Sequence, residues 1–301
     1  MERIVIAGGT GFIGLSLANY LSELGYEPIL MARNKPKESK FKFIKWDART
    51  LDDWVNSLEG AKAIVNLTGR TVDCIKTPEN CDSILRSRVE STRVIAKALG
   101  QLGNPPKVWV QMSTAHIYGD PQSIVCDEDS AEGYGLAPIV GKAWEKALLE
   151  NIPEGIREVR LRTSFVIGKN GGALATLKKI VKMGLGGKVG DGTQGISWLH
   201  EYDMNNLILE SIINPDYNGY YIASSPNPVS NNEFMRTLRK KMKMPIGLIA
   251  PNFMIRFGSK FIFKTDPELV LYGRYVVPKR LLEQGYKFKF PDLDSALKDL
   301  I

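Results

Sequence analysis

Residues 3 to 33 read RIVIAGGTGFIGLSLANYLSELGYEPILMAR. Ile4 to Ala7 is a short apolar run rich in β-branched residues, which predicts a strand; the pattern from Phe12 to Leu24 predicts a helix, and Pro28 to Ala32 a second strand. Between strand and helix stand Gly8, Gly11 and Gly14. At this spacing the first glycine permits the turn, the second lets a pyrophosphate approach the backbone, and the third lets helix and strand pack closely. The amides of Thr10, Phe12 and Ile13 at the helix start then face the phosphates. Glycines alone would mark only a tight turn. Glycines placed after a strand, at the start of a helix and before a second strand read as a dinucleotide-binding turn.

Working outward, FKFIKWD predicts a third strand and AKAIVNLTG a buried fourth. A helix over Ile84 to Leu99 follows, then a fifth strand KVWVQMST, a helix over Val140 to Leu149, and a sixth strand REVRLRTSFVIG. Strands alternating with helices require parallel pairing and right-handed crossovers. The fold class expected is therefore α/β: a Rossmann-type doubly wound parallel sheet over residues 1–168, with ligands at the carboxyl ends of its strands. Beyond Gly168 the chain becomes glycine-rich and then mixed, which predicts a smaller substrate-covering lobe over 169–301. That boundary is soft, and strands beyond it are free to return to the main sheet.

With 301 residues, 44% of them hydrophobic, the chain can bury one large core or a core plus an appended lobe. The start has no signal-peptide pattern and no apolar run reaches the ~20 residues of a membrane span, so a cytoplasmic protein is expected. Cys74, Cys81 and Cys126 are scattered and only two histidines occur, which argues against a disulfide framework and a structural metal. The net charge of +7 is concentrated from Phe234 onward, where 14 Lys/Arg face 6 Asp/Glu. Those cations, Arg236, Arg239, Arg256, Arg274, Lys279 and Arg280 among them, alternate with apolar positions and form no nucleic-acid-binding pattern. They suit a solvated face or a phosphorylated or carboxylated small-molecule substrate. A homodimer is compatible with the sequence.

The stretches GGTGFIG, NLTG, STAHIYGD, LRTSFVIG and WLHEYDM resemble the extended short-chain dehydrogenase/reductases, which include sugar-nucleotide epimerases and dehydratases. More narrowly, SRVESTRVIAKAL, GLGGKVGDGTQGISWLHEYD and VVPKRLLEQGYKFKFPDLDSAL are similar to the atypical epimerase-like branch, with its distinctive C-terminal region. In NAD-preferring relatives an acid at the end of the second strand binds the adenosine ribose, whereas a basic residue suits a 2′-phosphate. Here LMARNK carries Arg33 and no acid, which favours NADP over NAD. The resemblance further implies Asp47 at the adenine edge, Leu67, Thr68 and Gly69 along the adenosine side, and Arg162 among the cofactor contacts.

In this family a Tyr, a Lys four residues later, a Ser or Thr after the fifth strand and an Asn exchange a proton with the substrate hydroxyl during hydride transfer. STAHIYG puts Thr114 in the Ser/Thr role, whereas the Tyr and Lys positions correspond to Ala137 and Gly141 if Glu145 matches the family Glu, or to Pro138 and Lys142 one residue on, with no tyrosine in either register, and the Asn corresponds to Arg88. Three readings stay open: Tyr134 supplies a displaced phenol with Lys142, the proton donor is a different group or solvent, or the chain binds NADP as a redox sensor or regulator without turnover. His200 is expected at the substrate as a positioning group. Arg274 and Arg280 are expected to meet an anionic substrate in the lobe.

Overall fold

β1 (Arg3–Ala7) turns Ile4 and Ile6 into one core and Val5 and Ala7 into another, all fully buried. A strand apolar on both faces belongs inside a sheet with helices on each side. The computed structural model describes residues 1–36, 39–251 and 266–301; Arg256 lies outside them. After β1 come α1 (Phe12–Glu23), β2 (Glu27–Ala32), β3 (Lys42–Lys45), β4 (Ala63–Asn66), α2 (Pro78–Leu99) and β5 (Val108–Thr114). They are followed by β6 (Val125–Cys126), α3 (Leu136–Leu149), β7 (Arg157–Thr163), β8 (Phe165–Ile167) and α4 (Gly172–Lys182). β9 (Gly195–Ile196), β10 (Trp198–His200), α5 (Glu201–Ile213), β11 (Gly219–Ala223), β12 (Val229–Ser230), α6 (Asn231–Lys241) and β13 (Tyr275–Val276) lead to the short helix Lys279–Glu283 and the terminal helix Leu293–Leu300.

The central sheet has seven parallel strands in the order β11-β7-β5-β4-β1-β2-β3. The chain runs outward from β1 in one direction and then from β4 in the other, so the order reverses between β1 and β4. A ligand crevice forms at such a reversal. Gly14, Leu17, Ala18 and Leu21 form the buried stripe of α1, and Thr77 caps α2 by accepting from Asn80 N at 3.2 Å, with Pro78 in the first turn.

One feature departs from the sequence reading. REVRLRTSFVIG is two strands, because Ser164 N donates to Ala223 O and Phe165 N to Ser197 O, which carries β8 off the central sheet to pair with β10. The seventh sheet strand, β11, comes from beyond residue 168. A separate apolar core of Ile167, Leu174, Trp198, Phe234 and Leu297 supports the C-terminal part. Pairing of β13 with β6 then delivers Arg274 to the segment that follows β5. No helix among the described residues is long and apolar enough to cross a membrane.

Candidate functional site

Gly8 takes a φ of +76°, and a Cβ there would lie 2.9 Å from the Leu67 carbonyl carbon and 3.0 Å from Thr68 N. The turns after β1 and β4 thus touch backbone to backbone at the reversal of strand order. Gly14 packs as closely, since its Cβ would come within 2.6 Å of Gly9. Gly11 stands at the N-cap of α1 with no side-chain cap, so the amides of the first helical turn stay open, and no acid occupies that turn. The Phe12 ring is packed under Gly168, Gly171 and Gly172. Thr10 and Ile13 belong to the same turn. Close beside it, the Thr68 hydroxyl oxygen is buried without a hydrogen-bond partner. Open amides, a cradle without side chains and an orphaned hydroxyl fit a pyrophosphate-linked dinucleotide.

Arg33, one residue past β2, is exposed and makes no hydrogen bond or ion pair with another described residue. Asp47 is exposed after β3, but its carboxylate accepts from Arg49 N at 2.8 Å, Thr50 N at 2.9 Å and Thr50 Oγ1 at 2.8 Å. Those bonds hold it below the ordinary carboxylate range against the opposing effect of burial. Leu67 N donates to Ala7 O, and Thr68 N to the buried Asn66 Oδ1 at 3.0 Å. Gly69 admits the Arg88 guanidinium, which lies 5.0 Å over the Trp144 ring and donates to Arg70 O and Ile84 O. Burial lowers Arg88 to about 10.

At the end of β5, Thr114 Oγ1 accepts from His116 N at 3.1 Å, and Ser113 donates to Glu145 at 2.6 Å. A Cβ on Gly141 would stand 3.3 Å from Thr114 Cγ2 and from Ile117, so a side chain there would press on its neighbours. Arg162 is spent on Glu145, Glu132 and Tyr118, with donor distances from 2.8 to 3.0 Å. Arg160 also reaches Glu145, at 3.3 Å. Lys142 lies 3.7 Å from Glu132, and Tyr134 is 96% exposed. Arg162 and Lys142 line an open hollow of about 830 Å³ with Glu132 and Tyr220; none of the glycine-turn residues lines it. Tyr134 thus faces solvent, while Lys142 and Arg162 lie against carboxylates, Arg162 in register with Ser113 beside Thr114.

Two more of the expected substrate residues are engaged elsewhere. His200 is buried, accepts from Tyr202 N at 3.0 Å to cap α5, and stacks at 3.9 Å on Phe290. Its Nε2 lies 3.4 Å from Asp299 without hydrogen-bond geometry. Arg280 donates to Tyr220 O and to Asn218 O at 3.1 Å, and lies 4.3 Å over the Tyr221 ring. Those acceptors flank the amino end of β11, the opposite end from the crevice. Both histidine and arginine hold the C-terminal part to the sheet.

Arg274 reaches the segment that follows β5. Its Nε donates to Gly119 O at 2.8 Å, in the turn that follows Thr114. The sequence reading passed over His116 in that turn, three residues before Gly119. Burial, then Arg274 and Lys76, drive His116 down to about 3. The only signal in the sequence was a histidine two positions past the Ser/Thr of STAHIYG. Among the described residues no cluster of three or more His, Cys, Asp or Glu side chains is arranged to hold a metal.

The family model for the NAD dependent epimerase/dehydratase family matches residues 4–221, and that for a domain of unknown function, DUF1731, matches residues 250–300. The chain is 31% identical to the chloroplastic epimerase family protein SDR39U1 homolog of Arabidopsis thaliana, over 99% of this chain and 86% of that relative. The crystal structure of human epimerase family protein SDR39U1 (isoform2) with NADPH matches at a TM-score of 0.88 and 28% identity, covering 99% of both chains. UDP-N-acetylglucosamine 4-epimerase from Bacillus cereus has the same fold, with a TM-score of 0.79 at 16% identity over 100% of this chain and 98% of its own. With its matching region running from β1 through most of β11 and containing the glycine turn, the chain belongs to the NAD dependent epimerase/dehydratase family.

Proposed function

We propose that this protein binds NADP(H) in the crevice between β1 and β4 and acts as a cytoplasmic oxidoreductase on a small anionic substrate. The observation that carries the reading is Arg33, an exposed guanidinium without a partner among the described residues, at the end of β2 beside a glycine turn with open amides. A 2′-phosphate suits that position, and the human relative of similar fold was crystallised with NADPH. Gly8 to Gly14 hold the pyrophosphate, Leu67 to Gly69 line the adenosine side, and Asp47 borders the adenine. A nicotinamide bound there supplies or accepts a hydride. Thr114 orients the substrate oxygen, and the C-terminal part excludes water above it.

Binding of NADPH and NADH, followed by nicotinamide fluorescence, tests the reading. NADPH should bind at least tenfold more tightly, and equal affinities overturn the choice of cofactor. A second reading, binding without turnover, is favoured by Ala137 and Gly141 at the family's Tyr and Lys positions. Lack of cofactor reduction by any alcohol or sugar, despite tight NADPH binding, selects it.

A further inference from the structure

The segments that leave α4 and α6 run side by side in the C-terminal part. Leu248 N donates to Gly184 O at 2.9 Å, and Gly187 N to Leu248 O at 3.1 Å. The Arg239 stem lies between them, since a Cβ on Gly186 or Gly247 would stand 3.3 or 2.7 Å from its Cδ. Met183 and Leu185 on one segment and Ile246, Leu248 and Ile249 on the other are each between 45% and 65% exposed. They stand outside the core, which the two helices reach with Leu174, Val181, Phe234 and Leu238. Residues 170–190 and 234–250, which carry this patch, contain nine Lys/Arg and no Asp or Glu. Among the described residues only Lys241 of these forms an ion pair, with Asp294 at 2.6 Å. Lys179, Lys182, Lys240 and Lys243 are exposed, Lys182 directly before Met183 and Lys243 three residues before Ile246. Cations near the last carbonyls of a helix are favoured by its dipole, but that accounts for none of the exposed aliphatic side chains.

We propose that this face docks on an anionic lipid surface, as a peripheral contact with one side of a bilayer. The five aliphatic side chains enter the boundary between headgroups and acyl chains, while the lysines stay among the lipid phosphates. Both halves of the pattern are matched by this one partner. A nucleic acid would meet the cations and leave the aliphatic side chains in water; an apolar protein surface would cover the aliphatics and leave the lysines without counter-charge. Lysine, a compact charge on a flexible stem, also suits a fluid headgroup layer, whereas fixed phosphates or carboxylates favour the planar fork of arginine. The 11-residue helix α4 meets Phe12 of the glycine turn at its first residues and this face at its last, about 16 Å away. Docking is therefore separable from cofactor binding and does not rest on it.

Flotation of the full chain with vesicles tests the proposal, using phosphatidylcholine alone and phosphatidylcholine mixed with phosphatidylglycerol. Each basic residue near an anionic surface is worth about a fivefold gain, so binding to the mixed vesicles should be stronger by about tenfold or more and should weaken as salt is raised. Lys182→Gln with Lys243→Gln should lower it by about tenfold or more. Lys97→Gln with Lys107→Gln, the same loss of charge at exposed positions outside the two segments, should change it by less than about threefold. Ile246→Ser with Leu248→Ser should lower it as far as the first pair does. All six positions are exposed, and unchanged urea midpoints would show that each variant folds. Equal binding to the two kinds of vesicle, binding to neither, or a serine pair that binds like the wild type overturns the proposal. So does binding to polyglutamate or duplex DNA at the same salt with no hold on vesicles, which would give the face to an acidic protein or to nucleic acid.

Discussion

A Cβ on Gly141 would stand 3.3 Å from Thr114 Cγ2, so the helix that carries the family's Tyr and Lys positions here lies directly against the end of β5. A side chain there requires its neighbours to give way by a few tenths of an ångström. Gly141→Lys should therefore destabilise the fold by about 1–3 kcal/mol through overpacking, with the cost of burying an ammonium added. Ala137→Tyr combined with Gly141→Lys should not install a working pair. Urea denaturation checks the first statement; wild-type stability in Gly141→Lys would mean that α3 can move away from Thr114.

Arg33 has no competing partner among the described residues, so its whole charge is free for a ligand. A charge-assisted contact to phosphate is worth about 1.5–3 kcal/mol, or roughly one to two orders of magnitude in affinity. Arg33→Asp should lose that factor for NADPH and leave NADH binding equal or improved, as measured by calorimetry. A parallel loss for both nucleotides would place Arg33 on the shared part of the cofactor.

What could be read from the sequence were features imposed by local backbone chemistry. Gly8 at positive φ and the close-packed Gly14 leave their mark as glycine spacing, and Arg33 is found by counting from the end of a strand. What could not be read depends on partners far away in the chain. Pairing of Tyr275–Val276 with Val125–Cys126 involves two residues on each side, too few for any periodicity, yet it brings Arg274 to Gly119. Arg274 and Arg280 look equivalent in the sequence, and only tertiary structure sends one to Gly119 and the other to Tyr220 and Tyr221. His116 carries no spacing signal because its importance comes from Lys76 and Arg274.

Arg280 should consequently behave as a structural residue. Its guanidinium joins the helix Lys279–Glu283 to Tyr220 O, Asn218 O and the Tyr221 ring. Arg280→Gln should cost about 2 kcal/mol from lost charged hydrogen bonds and stacking, with NADPH affinity unchanged. Weakened NADPH binding at unaltered thermal stability would return Arg280 to the ligand site.

Glu145 joins Ser113, Arg160 and Arg162 beneath the end of β5, with side-chain exposures of 7%, 11% and 6% for Glu145 and the two arginines. Removing one partner of a buried ion pair strands the other charge, at a cost of about 3–5 kcal/mol. Glu145→Ala should fall in that range and Glu145→Gln below it, because the amide oxygen still accepts hydrogen bonds. Equal midpoints in urea for the two variants would show that packing around α3 matters more than the charge.

His116 makes the acid stability of the protein depend on one imidazole. Burial first, then Arg274 and Lys76, lower it to about 3, against roughly 6.5 in an unfolded chain. Between these two values the unfolded chain binds a proton that the folded one does not. Stability is therefore lost as pH falls below about 6.5, at up to about 1.4 kcal/mol per pH unit, and the loss levels off below the folded value. His116→Gln removes this linkage. His200, lowered chiefly by burial, contributes with the same sign in both proteins and cancels from the difference. From pH 7 to pH 5 in a buffer of weakly binding anions, the wild type should lose about 1–2 kcal/mol more than His116→Gln, read from urea midpoints. Identical losses in the two proteins would mean that His116 meets water freely, with neither cation close enough to affect it.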